Sequence, residues 1–226
     1  MCLRERDAEK VPFRQACGAV HFHGGYREEP SISELLVRDR WYALIVAGPS
    51  GSGKSVVAEH IGRELSLPVI DADDYHSREA VDLMKSGTPL ADEYRESWAE
   101  RIIGGMIAWR RRGESVVIAC SCIRRRTRDR FRTYVNEARI VGGQVVIAWL
   151  DVSAEVLRSR LLRREEKQTH FFPASLLASQ LNATQPPDPL SEPGVLRIEV
   201  GPETPDVVAR TVWQSVPALH PFVVRT

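Results

Sequence analysis

Apolar positions along the chain form two kinds of pattern, short apolar runs and amphipathic stretches, and the two alternate from Trp41 onward. Ala43 to Ala47, Val69 to Ile70, Val116 to Ala119, Val145 to Leu150 and Leu196 to Val200 read as buried strands. Between and after them, Ser55 to Leu65, residues 78 to 86, 94 to 112 and 124 to 137, Ala154 to Arg164, Ala174 to Leu181 and Pro205 to Val216 read as helices. In the first helix Val56, Val57, Ile61 and Leu65 are expected to turn inward. Strands this apolar need cover on both faces, so the pattern predicts an α/β fold with a parallel sheet between two helical layers. Residues 1–40 are irregular and polar and read as an N-terminal extension; 41–217 form the domain and 218–226 a tail. The proline-rich stretch 185–194 reads as a loop.

Composition narrows the picture without changing it. A chain of 226 residues, 43% hydrophobic and 27% charged, buries one sizeable core. Thirty-one basic against 30 acidic residues leave a formal net charge of +1, which gives no overall field to gather nucleic acid or an anionic membrane. Anion binding must therefore be local. No run of about 18 apolar residues predicts a membrane span. The N-terminus lacks the charged-then-apolar pattern of a secretion signal, and the acids Glu5, Asp7, Glu9, Glu28, Glu29, Glu34 and Asp39 argue against a transit peptide. The expected setting is cytoplasmic, and the cysteines at 2, 17, 120 and 122 fit reduced thiols better than a disulfide framework. Cys120 and Cys122 should share one face of a strand and serve packing. His21 and His23 flank a phenylalanine in the extension and are expected to bind nothing.

The strongest chemical signal is Gly48-Pro-Ser-Gly-Ser-Gly-Lys-Ser55, a G-x-x-x-x-G-K-S stretch between a predicted strand and helix. Gly48, Gly51 and Gly53 let the backbone curl around an anion, so that the loop at Ser50 and Ser52 and the first amides of the helix that follows, to Val56, meet phosphates. Lys54 adds a point charge, and Ser55 can hold Mg2+. ATP with Mg2+ is the expected nucleotide. No N-K-x-D guanine-reading motif is present, and the third strand ends at Ser121 rather than at an acid, which favours a small kinase over a GTPase or a motor.

After the second strand come Asp71, Asp73, Asp74, Tyr75 and His76, at the strand end where parallel sheets gather ligands. Two carboxylates two residues apart can divide metal tuning from handling of an acceptor hydroxyl. Asp71 is assigned to the metal with Ser55, and Asp73 to the hydroxyl, with the exchange of roles open. The alternative is a plain helix cap. Arg124, Arg125, Arg126, Arg128, Arg130 and Arg132 follow the third strand; those near the helix start oppose its dipole and call for an anion, while Arg126 and Arg130 read as a solvated face. Arg158, Arg160, Arg163 and Arg164 precede the polar stretch Glu165 to Thr169 and His170-Phe-Phe172, the composition of a closing lid.

These residues resemble the gluconate kinases, within the shikimate- and nucleotide-kinase-like P-loop enzymes. The likeness spans about residues 42 to 217 and rests on GPSGSGKS, on DADDYHSREAVDLMKSGTPLADEYRESW (71–98), on CSCIRRRTRDRFR (120–132) and on HFFPASLLASQLNATQPP (170–187). It implies a three-layer fold with a five-stranded parallel sheet in the order 2-3-1-4-5, a lid, and a homodimer. It also implies catalysis by Lys54, Asp73 and Arg124, an acceptor such as gluconate held by Asp73, His76, Arg124, Arg128 and His170, and ATP flanked by Arg160 and Arg164. The chain departs from the family's usual pattern at Ala80 and Leu83, where Asn and Lys are common, and at Tyr94 and Ser97, where Asp and Pro are common. A related polyol acid, a shikimate-like acceptor, and a nucleotide-binding regulatory protein without turnover stay open as alternatives.

Overall fold

The computed structural model describes residues 41–137, 143–166 and 172–216. The expected extension and tail, with Cys2, Cys17, His21 and His23, lie outside the described residues. The elements are β1 (Trp41–Ala47), α1 (Lys54–Glu64), β2 (Val69–Asp71), a 3-10 turn (Ala72–Tyr75), α2 (Arg78–Lys85), α3 (Asp92–Arg111), β3 (Val116–Cys120) and α4 (Arg125–Glu137). They continue with β4 (Gly143–Asp151), α5 (Ala154–Glu166), a 3-10 turn (Ala174–Leu176), α6 (Leu177–Asn182), β5 (Val195–Glu199) and α7 (Pro205–Gln214). The five strands form one parallel sheet in the order β2-β3-β1-β4-β5.

Period-two alternation divides the core in two. Trp41, Ala43, Ile45 and Ala47 of β1 face one side with Val116, Ile118 and Cys120 of β3 and Val145, Ile147 and Trp149 of β4. There they meet Trp98, Ile102 and Met106 of α3 and Phe131 of α4. Tyr42, Leu44 and Val46 face the other side with Val117, Ala119, Val146, Ala148 and Leu150, against Val57 and Ile61 of α1 and Val208 and Val212 of α7. Every residue of β1 is buried because the strand lies between β3 and β4 with a helical layer on each face.

Two expectations are corrected in detail. Val57, Ile61 and Leu65, at i, i+4 and i+8, fill the buried stripe of α1 and are nearly inaccessible, whereas Val56 is 40% exposed. One residue is about 100° around a helix, and that carries Val56 off the stripe. The stretch expected as one helix from Ala174 divides into a 3-10 turn after Pro173 and α6. Cys120 and Cys122 do share a side, buried in one core with their Sγ atoms 2.9 Å apart.

Arg128 is the largest departure from the sequence reading. Expected at the acceptor, it is fully buried under α4, its Nε and Nη2 donating to Glu192 at 2.9 and 2.7 Å and its Nη1 to the Cys122 carbonyl at 2.9 Å. The guanidinium also lies 5.7 Å from the Trp149 ring. With its donors so occupied, it anchors the loop before β5 to the sheet, and that loop is further tied down by Gln185, which accepts from the Arg125 amide and donates its own amide to the Ile123 carbonyl.

The bidentate hydrogen bonds from Arg128 hold the Glu192 carboxyl below its usual pKa of 4.5. Its folded value is depressed, so the stability it contributes is full above about 4.5 and is lost as pH falls through the folded value. Glu192→Ala, which leaves a buried unpaired cation, is expected to cost about 3–5 kcal/mol in denaturant unfolding. The double variant Arg128→Met, Glu192→Leu should recover most of that loss and flatten the acid limb of the stability profile.

Candidate active site

Two backbone turns at the carboxyl ends of β1 and β2, and a third that precedes α6, build the site. The first, Gly48 to Gly53, connects β1 to α1 through three glycines at positive φ: 144°, 86° and 96° at Gly48, Gly51 and Gly53. Side chains are barred at two of them, because a Cβ on Gly48 would lie 2.9 Å from Ser52 Oγ and one on Gly51 would lie 3.0 Å from the Leu157 carbonyl. The Gly48 amide donates to the Ser121 carbonyl at 3.3 Å, tying this loop to the end of β3. Among the described residues, Ser52 Oγ is buried with no hydrogen-bond partner.

Cations converge on that loop. Lys54 Nζ donates to the Pro49 carbonyl at 3.1 Å, and Arg160 Nη1 from α5 donates to the Gly51 and Ser52 carbonyls at 3.3 and 3.2 Å. Burial lowers the Lys54 pKa; the Asp73 and Asp71 carboxylates oppose the shift, and Arg164 adds to it. Burial also lowers the Arg160 pKa, helped by Arg163 and Arg164 beside it. Glycine backbone, an unpartnered buried hydroxyl and mutually repelling cations fit a polyphosphate, which would satisfy the hydroxyl and neutralise the charges.

The second turn carries the acids. Asp71, at the end of β2, accepts from the Asp73 amide at 3.0 Å through Oδ1 and from Ser55 Oγ at 2.8 Å through Oδ2. It is therefore both the helix cap of the plain alternative and the partner of the P-loop serine. The Ser55 hydroxyl and this carboxylate form a hard oxygen pair of the type that Mg2+ takes. Helix α3 clamps the turn: Trp98 Nε1 donates to the Ala72 carbonyl and Arg101 Nε to the Tyr75 carbonyl, each at 2.7 Å. Gly105 makes room for the Tyr75 ring, whose hydroxyl lies 2.7 Å from where a Cβ would stand. The Trp98 indole stacks on His76 at 4.9 Å with 3° between planes, and His76 Nε2 lies 3.9 Å from Asp73 Oδ1. Burial lowers the His76 pKa against the opposing pull of Asp73.

A cleft joins the two turns, lined among others by Lys54, Asp73, His76, Arg95, Trp98 and Ser121. The third turn, Phe172 to Leu176 with α6 behind it, closes its far side. Gln180 of α6 accepts from the Ser50 amide at 2.8 Å and donates to Ser50 Oγ at 3.2 Å, fastening this element to the phosphate loop. Of the residues expected here, Lys54, Asp73, His76 and Ser50 line one cavity. Arg124 does not line it: its Nη1 donates to Asp92 at 2.5 Å, and it borders a neighbouring groove. Arg126 and Arg130 form surface ion pairs with Glu96 and Glu100 of α3. His170 lies outside the described residues.

Sequence reasoning missed Arg95 and Gln180 as cleft residues. Arg95 lines both the main cleft and the groove beside Arg124, donates Nε to the Leu90 carbonyl at 3.2 Å, and has its pKa lowered first by burial and then by Arg124. Its signal was present in the three-residue spacing from Trp98, since residues i and i+3 share a helix face.

A parallel sheet with this strand order, a P-loop, and an acidic turn facing it across a shared cleft define a P-loop phosphotransferase. Residues 44–187 match the AAA domain family. The chain is 32% identical to the gluconokinase of Arabidopsis thaliana over 76% of its own length and 91% of that protein. In structure it resembles a gluconokinase from Sinorhizobium meliloti, with 29% identity, a TM-score of 0.63, and coverage of 81% of this chain and 95% of that one. It also resembles a sugar kinase from Janibacter sp., with 33% identity, a TM-score of 0.66, and coverage of 79% and 98%. The chain belongs to the gluconokinase family, and it is a carbohydrate kinase. Membership of a P-loop kinase family implies use of ATP. Among the described residues no helix is long and apolar enough to cross a membrane.

A methyl group at position 51 must displace the Leu157 carbonyl while holding a left-handed backbone. Gly51→Ala is expected to weaken ATP binding by about tenfold in titration calorimetry, a change of about 1.4 kcal/mol, which lies within that backbone penalty.

Proposed function

We propose that this protein phosphorylates the terminal hydroxyl of D-gluconate with Mg-ATP, giving 6-phospho-D-gluconate and ADP. The observation that carries this reading is a single cleft in which the P-loop lysine, the second acid of the acidic turn and a half-buried guanidinium, Arg95, come together. Such a cleft accepts a nucleotide phosphate at one end and an anionic polyol at the other. The names of the Arabidopsis and Sinorhizobium relatives supply the particular acid.

In this reading Asp73 orients the acceptor hydroxyl and receives its proton as the oxygen attacks. The bond from the γ-phosphorus to the β–γ bridging oxygen breaks, a bond to the acceptor oxygen forms, and the electron pair leaves with ADP. Lys54, Arg160 and Arg164 hold charge that spreads over the transferring group, from positions set before substrate binds. Ser55 and Asp71 would hold Mg2+, which supplies further neutralisation of the phosphate oxygens. His76, kept neutral by burial, offers a hydrogen bond to the polyol, and Arg95 holds its carboxylate. Arg124 is assigned to the same acceptor side, reaching it by exchanging Asp92 for substrate. His170 completes the acceptor contacts when the lid closes. The reading includes a homodimer in a cytoplasmic setting, with the dimer tested by sedimentation equilibrium.

Purified protein is expected to form ADP on addition of gluconate in a coupled assay, with formation of 6-phosphogluconate confirmed by mass. Lys54→Ala and Asp73→Asn should each lower kcat by about 10²–10⁴, while circular dichroism and melting temperature stay close to those of the parent. Gluconate-independent ADP formation, or turnover of a different acceptor with gluconate inert, would exclude this substrate.

A further inference from the structure

The walls of the acceptor cleft differ in chemistry. The P-loop, the acidic turn and the end of β3 contribute Lys54, Asp73 and Ser121, whereas α2 and the turns after it and before α6 contribute Met84, Leu90, Phe172 and Leu176. The latter four belong to one apolar cluster, in which Met84, Leu90 and Leu176 are buried with Ala80, and Phe172, Leu83 and Tyr94 pack against them, Tyr94 from outside the cleft lining. Neither Ala80 nor Leu83 brings a polar atom to this wall from behind. Of the polar groups at its border, Arg95 Nε is engaged with the Leu90 carbonyl, Trp98 Nε1 with the Ala72 carbonyl and Gln180 with Ser50, while Ser179 adds a hydroxyl only at the α6 end.

A six-carbon sugar acid carries a hydroxyl on every carbon from the second to the sixth. Enclosed in this cleft, it turns part of that hydroxyl array toward hydrocarbon, where a hydroxyl loses water without gaining a partner. A site that reads a hydroxyl by hydrogen bonding rejects the analogue lacking it by about 10⁴–10⁵, but an apolar surface has no such means of rejection. We infer that the wall of Met84, Leu90, Phe172 and Leu176 extends the substrate class to deoxy sugar acids, which keep the carboxylate and the terminal hydroxyl and lack an internal hydroxyl. The inference rests on the sugar-acid reading given above. Phosphoryl transfer to the terminal oxygen is the same in both cases, because the missing oxygen takes no part in it.

The test compares kcat/KM for D-gluconate with that for its 2-deoxy, 3-deoxy and 4-deoxy forms, using the full chain with Mg-ATP. At least one deoxy acid is expected within tenfold of gluconate or above it. If gluconate is turned over and all three deoxy acids fall below one tenth of its kcat/KM, the inference is overturned and the gluconate reading stands. If neither gluconate nor any deoxy acid is phosphorylated, both are overturned. As a second measurement, Met84→Gln places an amide in the wall at nearly constant volume and is expected to shift the preference at least tenfold toward the fully hydroxylated acid. An unchanged ratio in the folded variant also overturns the assignment of this wall.

Discussion

Confinement of positive charge beside the phosphate loop is the constraint on which the rest of the site depends. The Lys54 ammonium is held against the Pro49 carbonyl, Arg160 bridges two carbonyls of the same loop, and Arg164 adds its field. Without anions nearby this arrangement is unfavourable, as the lowered lysine and arginine pKa values record. Asp71 and Asp73 relieve part of it from across the cleft, and a bound polyphosphate would relieve the remainder. Nucleotide affinity and the placement of the acids thus express the same electrostatic demand.

That demand is met by rigid elements. The acid-bearing turn hangs from the end of β2, is pinned to α1 by the Ser55–Asp71 hydrogen bond and is clamped to α3 by Trp98 and Arg101. The loop opposite is tied to β3 through Gly48 and Ser121, and to α6 through Ser50 and Gln180. Charges fixed before the reaction need no reorganisation during it, which is how a small protein can stabilise a dispersed transition state.

The sheet was legible from the sequence because a strand buried on both faces has to be apolar where it is covered, and β1, β3 and the Val145–Leu150 stretch of β4 are. Element ends were less so: Val56 was read as internal because a pair of valines gives no phase by itself. The P-loop was legible because its glycines, lysine and serine have no other common use together. The arginines were not, because charge along a helix does not tell a ligand from a partner. Arg128 found Glu192, 64 residues away and in a proline-rich segment with no periodicity to flag it. Arg126 and Arg130, read as a solvated face, do stand at the surface, and only their partners Glu96 and Glu100, one and two turns along α3, required the side-by-side packing of α3 and α4 to be seen. Arg95 escaped attention because its value lies in burial, which its own type does not announce.

Trp98 has two duties. Its indole fills the core between α3 and the sheet, and its single N–H holds the backbone one residue before Asp73. The molecule therefore has no boundary at which structural interior ends and machinery begins. Changes that accumulate in that interior over evolutionary time would be felt first as a drift in how the acceptor is aimed. Among relatives, tolerance to core substitution around Trp98 should be narrower than around α7, which contributes no residue to the cleft among the described residues.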